Sequence, residues 1–277
     1  MRMADYLVLI LSVSTLLGAA SIIVFPSTIE YSVFNEGDTG FSKLVREFNG
    51  KIVVNPSEFS SVDPSTSIII TSNTGPASPR VAENLAVFVE RGGVLIVTGD
   101  PSYMNSIAEA FGLKHVSSGK TVYDMVYNRG DRFKPVGYSR VCNCNVSLWK
   151  PYASDLSGEN VLIETSPFSY LDSNGNGFLD LGEPIRVFPV GILYKYHDGV
   201  VFFILSTRVF TNDLVEFNKE FLECLRKERV LYIDQTTPFS KPFENLRFLA
   251  LRQGNIVFAG VLAVIIVVVM LHARSRE

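Results

Sequence analysis

Residues 172–183 carry oxygen-bearing side chains at the spacing of a twelve-residue EF-hand calcium loop. Gly177 would allow the tight turn at position 6, and Glu183 would bind through both carboxylate oxygens. Six residues occupy the positions of calcium ligands: Asp172, Asn174, Asn176, Phe178, Asp180 and Glu183. The sequence therefore predicts Ca²⁺ as a structural cofactor.

The residue after this loop limits what calcium could do. Pro184 forbids the usual continuation into an exit helix, so the paired helices of a calcium-operated switch are missing. We expect a calcium clip that joins two parts of a domain. The alternative is a metal-free turn, rich in Asp and Asn, that is held by its own side chains.

A second set of polar residues follows the predicted strands. In an open α/β sheet, ligands bind where the carboxyl ends of the strands meet. The candidate ligand-binding residues are Asn35, Asp38, Asn73, Asp100, Ser102 and Asn212. They could line a cleft for a polar, glycan-like ligand, although caps and turns use the same residue types.

Catalytic motifs are scarce in the sequence. It contains three histidines, no nucleophile elbow and no phosphate-binding or dinucleotide-binding loop. The formal net charge of −3 and the lack of a basic run argue against nucleic acid as a partner. We expect a non-catalytic domain that binds a partner protein or polar ligand as an accessory subunit of a membrane-protein complex. The alternative is a hydrolase or transferase acting in a cleft around Asp38, Asp100 and Asn212.

Short apolar runs alternate with amphipathic segments and predict an α/β fold, with a doubly wound, mainly parallel sheet of the flavodoxin or amidotransferase-like kind. Strands are expected at 29–34, 51–54, 67–71 and 94–98, with helices after 40, after 78 and over 102–111. A β-rich insertion follows. It includes a hairpin of strands 187–196 and 200–206, and a last amphipathic helix begins near Asn212.

Three cysteines, Cys142, Cys144 and Cys224, are too few and wrongly spaced for a zinc site. One disulfide from Cys224 to either member of the pair is possible. Buried free thiols are the alternative.

Hydrophobic content of 47% is concentrated at both ends of the chain. We expect transmembrane helices at 4–25, where a cleaved signal peptide is the alternative, and at 254–272. Between them we expect an extracytoplasmic α/β domain at 28–233 and a linker at 234–253. Arginines at both tails place both termini in the cytoplasm, which makes this a cell-membrane protein with two spans.

Several of these segments resemble a family of membrane-anchored prokaryotic proteins of unknown function. The resemblance rests on Tyr31-Ser32 through Asn35 and Gly40, on residues 88–100, on the acidic loop followed by 188–190, and on 206–212. It implies a class I glutamine amidotransferase-like domain, related in fold to an auxiliary subunit of gliding-motility transporters and to an oligosaccharyltransferase subunit. Thr207 stands where the family usually has an acid. The amidotransferase cysteine and histidine are absent, so the resemblance implies the fold without that catalysis.

Overall fold

The fold was analysed in a computed structural model that describes residues 26–156 and 160–252, together with scattered positions between 6 and 21. The chain divides into two compact units, one formed by 28–238 and the other by 1–27 with 239–277. In the second unit, helix α5 (Pro242–Arg252) carries an ion pair of 2.5 Å between Arg247 and Glu244. This helix occupies most of the range predicted as a linker.

The described residues of the larger unit form four α-helices and twelve strands. The helices are α1 (Ser42–Phe48), α2 (Pro79–Glu90), α3 (Pro101–Ala110) and α4 (Lys219–Arg226). The first six strands are β1 (Lys51–Val53), β2 (Ser67–Asn73), β3 (Val94–Gly99), β4 (Ser117–Asp124), β5 (Val136–Ser139) and β6 (Cys144–Ser147). The remaining strands are β7 (Tyr152–Ser154), β8 (Val161–Glu164), β9 (Ser169–Asp172), β10 (Pro189–Tyr196), β11 (Gly199–Ile204) and β12 (Val230–Asp234). A 3₁₀ helix, Pro56–Ser61, follows β1, and a second one, Pro238–Ser240, lies at the boundary of the two units.

Nine strands form one mixed sheet in the order β1-β12-β2-β3-β11-β10-β8-β5-β6. The pairings from β1 to β11 in this order are parallel, whereas the pairings from β11 to β6 are antiparallel. A second sheet, β7-β4-β9, is wholly antiparallel. Six of the ten pairings are thus antiparallel, and the prediction of a doubly wound, mainly parallel sheet is wrong.

Both faces of the parallel part are buried. Ile69 and Leu95 pack on one face with Leu85 and Phe88 of helix α2, and residues of α3 belong to the same core. The alternate strand residues Ile68 and Ile70 are fully buried as well. Burial on both faces is why these strands read as continuous runs of β-branched residues.

Local signals explain the helices and turns that were predicted correctly. Ser78 accepts a hydrogen bond from the Val81 N–H and Pro79 begins helix α2, as the sequence indicated. Asn49 ends α1 in the left-handed conformation at φ 50°. The predicted hairpin is present as β10 and β11, and its turn places His197 at φ 49°.

Two local predictions are wrong. Residues 29–34 form turns and bends, because Tyr31 adopts φ 59°, which a strand does not permit. The helix predicted to begin near Asn212 begins at Lys219, as α4, and the side chain of Asn212 instead bonds to the main chain of a distant loop.

The membrane predictions also need correction. The predicted span 254–272 lies outside the described residues, and of 4–25 only scattered positions are described. Among the described residues, no helix combines the length and apolarity that crossing a bilayer needs. This finding contradicts the predicted spans and the two-span location in the cell membrane that rested on them.

Candidate functional site

Asn212 organises one half of the site. Its Nδ2 donates hydrogen bonds to the carbonyls of Asn35 at 2.9 Å and Gly37 at 2.7 Å, and to Ser42 Oγ at 3.1 Å. Its Oδ1 accepts a bond from the Lys43 N–H at 2.8 Å. Each polar atom of this side chain therefore helps to hold the segment after β11 against loop 35–41 and the first turn of α1.

Asn35 has a similar structural role in the same loop. Its Nδ2 donates to the Ile29 carbonyl at 2.9 Å, and its Oδ1 accepts from the Gly37 N–H at 2.8 Å. Asp38 lies in this loop with an exposed side chain, while its carbonyl accepts from the Asp213 N–H at 3.3 Å. Asn35, Asp38 and Asn212 are thus brought together, but two of the three are occupied by internal hydrogen bonds.

Tyr31 connects this loop to the second half of the site. Gln235, just after β12, donates through Nε2 to the Tyr31 carbonyl at 2.8 Å and accepts through Oε1 from the Val33 N–H at 2.9 Å. These long-range bonds compensate for the left-handed backbone of Tyr31, which is unusual for a bulky residue. Such a conformation, held by the surrounding structure, is characteristic of functional sites.

Asp100 is the central residue of the second half. It follows β3 and occupies the N-cap position of helix α3, yet its side chain makes no capping hydrogen bond. An Asp at this position ordinarily accepts a bond from the helix N–H groups. The half-buried Asp100 carboxylate is therefore available to another donor.

The backbone before Asp100 is shaped for a close approach between two strand ends. Gly99 adopts φ 122°, a conformation restricted to glycine. A Cβ at this position would lie 2.5 Å from the main-chain carbonyl oxygen of Asn73. The Asp100 N–H donates to that same oxygen at 3.1 Å. This contact brings Asn73 and Asp100 together, and Asn73 Oδ1 accepts from the Thr74 N–H at 2.8 Å. Ser102 lies on the first turn of α3 with an exposed side chain.

Several ionisable groups act on one another around Asp100. Burial is the larger of two effects that raise the pKa of the Asp100 carboxyl, and the negative charge of Glu30 is the second. Burial also raises the pKa of Tyr31, which the charges of Glu30 and Asp100 raise further while Arg208 opposes them. Burial and Asp100 raise the pKa of Tyr152 to about 12. Both tyrosines therefore keep their hydroxyl protons at neutral pH and can donate them in hydrogen bonds.

Ser72, near the end of β2, adds a buried hydroxyl. It is 4% exposed, and in the described part of the chain its Oγ has no hydrogen-bond partner of normal distance and angle. Ser72 lies close enough to the Tyr31 hydroxyl to lower the pKa of that tyrosine. A buried polar atom without a full partner costs about 1–3 kcal/mol and therefore calls for an explanation, such as a ligand.

Sequence reasoning missed Tyr31, Tyr152 and Arg208 as site residues. Tyr31 was placed inside a predicted strand, and Tyr152 belongs to the separate small sheet, so no local pattern joins either to Asp100. Arg208 lies in a segment singled out for its family resemblance, with its guanidinium 4.7 Å from the Trp149 ring centroid. Only the folded chain brings these side chains to one place.

The predicted calcium loop is closed by its own hydrogen bonds. Asp172 accepts from Gly175 N–H at 2.7 Å and from Gly177 N–H at 2.8 Å. Glu183 accepts from Ser173 N–H at 2.6 Å and from Asp180 N–H at 3.1 Å. The carboxylates at both ends of the loop are thus engaged in internal hydrogen bonds.

The remaining side chains of this loop follow the same pattern. Asp180 Oδ2 accepts from the Nδ2 atoms of Asn174 and Asn176, each at 2.6 Å, and Phe178 donates its N–H to Asn176 Oδ1 at 2.7 Å. Over the described residues, no group of three or more His, Cys, Asp and Glu side chains is arranged to hold a metal ion. This finding contradicts the predicted calcium-binding site. Ca²⁺ as a structural cofactor stays a prediction.

Comparisons with known proteins give a family but no activity. A family model described as a domain of unknown function (DUF4350) matches residues 33–225, which is more than half of the chain. No curated protein matches the chain.

Two solved structures show a distant likeness. The mmIFT52 N-terminal domain is 16% identical with a TM-score of 0.44, and the match covers 66% of this chain and 85% of that domain. The β-galactosidase from Bacillus circulans sp. alkalophilus is 13% identical with a TM-score of 0.36, over 58% of this chain and 22% of the enzyme. The chain thus spans less than a third of the galactosidase. Both likenesses are too weak to carry a conclusion about fold or function.

Proposed function

The chain belongs to the DUF4350 family of domains of unknown function, and from that premise we propose that it is a non-catalytic binding domain and an accessory subunit of a larger complex. Its ligand is a polar, hydroxyl-bearing molecule of the glycan type, bound at the carboxyl ends of β2 and β3. The finer part of the family resemblance, an amidotransferase-like domain without amidotransferase catalysis, is also a proposal.

The single observation that carries the proposal is the Asp100 carboxylate, which lies at a helix N-cap position without capping the helix. Because this half-buried carboxylate caps no N–H of helix α3, it can accept a hydrogen bond from a ligand hydroxyl. Ser72 Oγ, buried beside the Tyr31 hydroxyl, is a second polar atom that lacks a full partner in the described part of the chain. The Tyr152 hydroxyl and the Arg208 guanidinium add donors. The site thus offers both the hydrogen-bond donors and the acceptors that a polyol needs.

The charge balance of the site favours a neutral ligand over an anion. Glu30 and Asp100 both act on Tyr31, and Arg208 is the cation that opposes them. A negatively charged ligand would meet this local acidity at short range. A neutral sugar accepts hydrogen bonds from the tyrosines and donates to Asp100 without that penalty.

The test is binding of the full chain to an array of immobilised neutral and acidic oligosaccharides. We expect selective binding of neutral oligosaccharides, which Asp100→Asn weakens at least tenfold because a carboxylate acceptor is lost. Asp63→Asn is the matched control: Asp63 is an exposed Asp at another surface, where it accepts bonds from Ser65 and Thr66. Equal binding by wild type and Asp100→Asn, or no binding to any sugar, would contradict the proposal.

A second candidate function is favoured by the raised pKa of Asp100, because a carboxyl that stays protonated to higher pH can act as a general acid. On this alternative the chain is a hydrolase or transferase. The bound oligosaccharides are then incubated with the full chain and analysed for cleavage or transfer. Turnover by wild type that is lost in Asp100→Ala, with the fold intact, would replace the binding function by the enzymatic one.

A further inference from the structure

Arg132 lies beside an open cleft of about 450 Å³ that is also lined by Met125, Asn128, Tyr170 and Leu179. Its guanidinium carbon is 4.4 Å from the ring centroid of Phe178 and 5.2 Å from that of Phe133. In the part of the chain that the structure describes, no carboxylate forms an ion pair with Arg132. Aromatic contacts hold the guanidinium plane and leave its N–H edges for a ligand.

The carboxylates near this cleft are already engaged with N–H donors. Asp131, which lines the cleft, accepts a bond from the Phe133 N–H at 2.9 Å. Asp180 and Glu183 accept bonds from within the 172–183 loop. Arg132, by contrast, forms no ion pair among the described residues, so its guanidinium can still pair with the carboxylate of a ligand.

Exposed apolar side chains surround the cleft. Phe178 is 60% exposed, and the others in this group are Met125, Val126, Tyr127, Phe168 and Leu179. They form a connected surface: the rings of Tyr127 and Phe168 stack with centroids 6.3 Å apart, and Met125 and Leu179 line the same cleft. We name these residues together with Arg132 the Arg132 surface. Single exposed apolar residues are ordinary, but a connected group beside a cleft is characteristic of an interaction site.

The 172–183 loop has a clear role in building this surface. The Tyr170 hydroxyl donates to the Gly177 carbonyl at 3.1 Å, and the Phe178 N–H donates to Asn176 Oδ1 at 2.7 Å. These bonds hold Phe178 where Arg132 lies over its ring. The loop is thus a rigid support that presents an aromatic residue to a partner.

We propose that the Arg132 surface binds an acidic, amphipathic segment of a partner protein, with a side-chain carboxylate on the Arg132 guanidinium and apolar side chains on Met125, Tyr127 and Phe178. The planar guanidinium matches the two oxygens of a carboxylate. Exposed aromatic, Met and Arg residues are the types enriched in protein interfaces. A polyanion such as nucleic acid would instead require a continuous basic face.

The positions of the neighbouring arginines agree with a mixed charged and apolar partner. Arg129 lies 4.4 Å from the ring centroid of Phe217, and Arg186 lies 5.0 Å from that of Phe188. Each of these two arginines thus lies over an aromatic ring, as Arg132 does. This interleaving suits a segment in which acidic and apolar residues alternate.

The experiment measures binding of the full chain to a fluorescent peptide in which Glu and Leu alternate, by anisotropy. We expect saturable binding that Arg132→Gln weakens about tenfold or more, because the carboxylate loses its charged partner. A second variant, Phe178→Ser, should weaken binding as well by removing apolar contact and the ring beneath Arg132. Circular dichroism and a thermal melt verify that both variants fold.

Arg140→Gln is the matched control. Arg140 belongs to the same β-rich part of the chain and is exposed, but it is already paired with Glu164 at 2.6 Å. We expect this variant to bind the peptide as wild type does. No binding at millimolar peptide, or equal binding of a peptide in which Gln replaces Glu, would overturn the proposal. An unchanged affinity of Arg132→Gln would overturn it as well. So would a polyanion such as heparin, if it outcompetes the peptide at equal charge. Because Asp100 plays no part in this surface, the outcome is independent of the sugar-binding test.

Discussion

The hydroxyl of Thr71 donates a hydrogen bond of 2.6 Å to Asp234 Oδ2 across the neighbouring strands β2 and β12. Both residues are buried, and the Tyr103 hydroxyl of helix α3 joins Thr71 from the other side. Asp234 Oδ1 accepts from the Thr236 N–H at 2.8 Å. A carboxyl group thus lies inside the sheet with its oxygens hydrogen-bonded but no cation paired with it in the described part of the chain.

The first prediction concerns the pH dependence of stability. Burial raises the pKa of Asp234, more than its hydrogen bonds from Thr71 and Thr236 lower it. A folded-state pKa above the unfolded value means that this carboxyl stabilises the fold at low pH, and that the contribution is lost as pH rises through the folded pKa. The free energy of unfolding of Asp234→Asn minus that of wild type should therefore rise from acidic to neutral pH. The rise is about 1.4 kcal/mol for each unit by which folding raises the pKa.

Urea unfolding at several pH values measures this difference, and Asp63→Asn provides a control of opposite sign. Hydrogen bonds from Thr66 and Ser65 lower the pKa of the exposed Asp63. Asp63 therefore stabilises the fold above its unfolded pKa, and the relative stability of Asp63→Asn should fall as pH rises. A difference for Asp234→Asn that does not change with pH would mean that the buried carboxyl titrates normally.

The second prediction concerns the disulfide between Cys142 and Cys224, which resolves the alternatives left open by the sequence. It links the turn after β5 to helix α4, with Cα atoms 5.8 Å apart, and it joins residues separated by 82 positions. Closing so long a loop restricts the unfolded chain, so Cys224→Ser should lower the free energy of unfolding by about 3–5 kcal/mol. Urea unfolding with and without reductant measures the effect.

Cys144 supplies the control for this experiment. It is buried as a free thiol, and burial raises its pKa, which makes it unreactive. Cys144→Ala should keep the sensitivity to reductant, whereas Cys224→Ser should lose it. Peptide mapping that pairs Cys144 with Cys224 would contradict the assignment.

Much of the fold follows from local sequence patterns, but the pairing of distant strands does not. The runs that become β2 and β3 and the hairpin turn at His197 are recognisable because their signals lie within a few residues. The insertion of β12 between β1 and β2 depends on contacts across most of the chain. No local pattern encodes whether the neighbours of β11 run parallel or antiparallel, and this is why the sheet was predicted as mainly parallel.

The residues of the candidate site also divide into those with a local sequence signal and those that only distant contacts position. Asp100 and Asn73 were predicted because they lie at or just beyond the carboxyl ends of apolar strands. Tyr31 was misplaced because its backbone is determined by Gln235, which lies about two hundred positions away. The 172–183 loop was assigned to calcium because one spacing of Asp, Asn and Gly satisfies both a metal and a hydrogen-bonded turn.

The third prediction distinguishes these two interpretations of the loop. Asp172 accepts two N–H bonds within the loop, so Asp172→Ala should lower the free energy of unfolding by about 1–3 kcal/mol. The metal-free turn predicts the same loss in millimolar calcium and in EGTA, and an unchanged wild-type melting temperature. A calcium-dependent rise in melting temperature that Asp172→Ala abolishes would restore the calcium-binding interpretation.

The fourth prediction tests whether the close approach of two strand ends is needed at the Asp100 site. In Gly99→Ala the new Cβ would lie 2.5 Å from the main-chain oxygen of Asn73 and 2.9 Å from its main-chain nitrogen. The alanine would also have to adopt the φ of 122° that Gly99 has. Backbone strain and overpacking together should lower the free energy of unfolding by about 2 kcal/mol or more. Gly112→Ala is the control, because Gly112 also has a positive φ of 75° but nothing lies within 4 Å of its Cβ position. The control should lose only about 1 kcal/mol.

Since Asp100 follows Gly99 directly, a folded Gly99→Ala protein should also lose sugar binding, whereas Gly112→Ala should retain it. Equal stability losses in the two variants would mean that the strand ends can separate without cost, and the Asp100 carboxylate would then not be held in place by this contact.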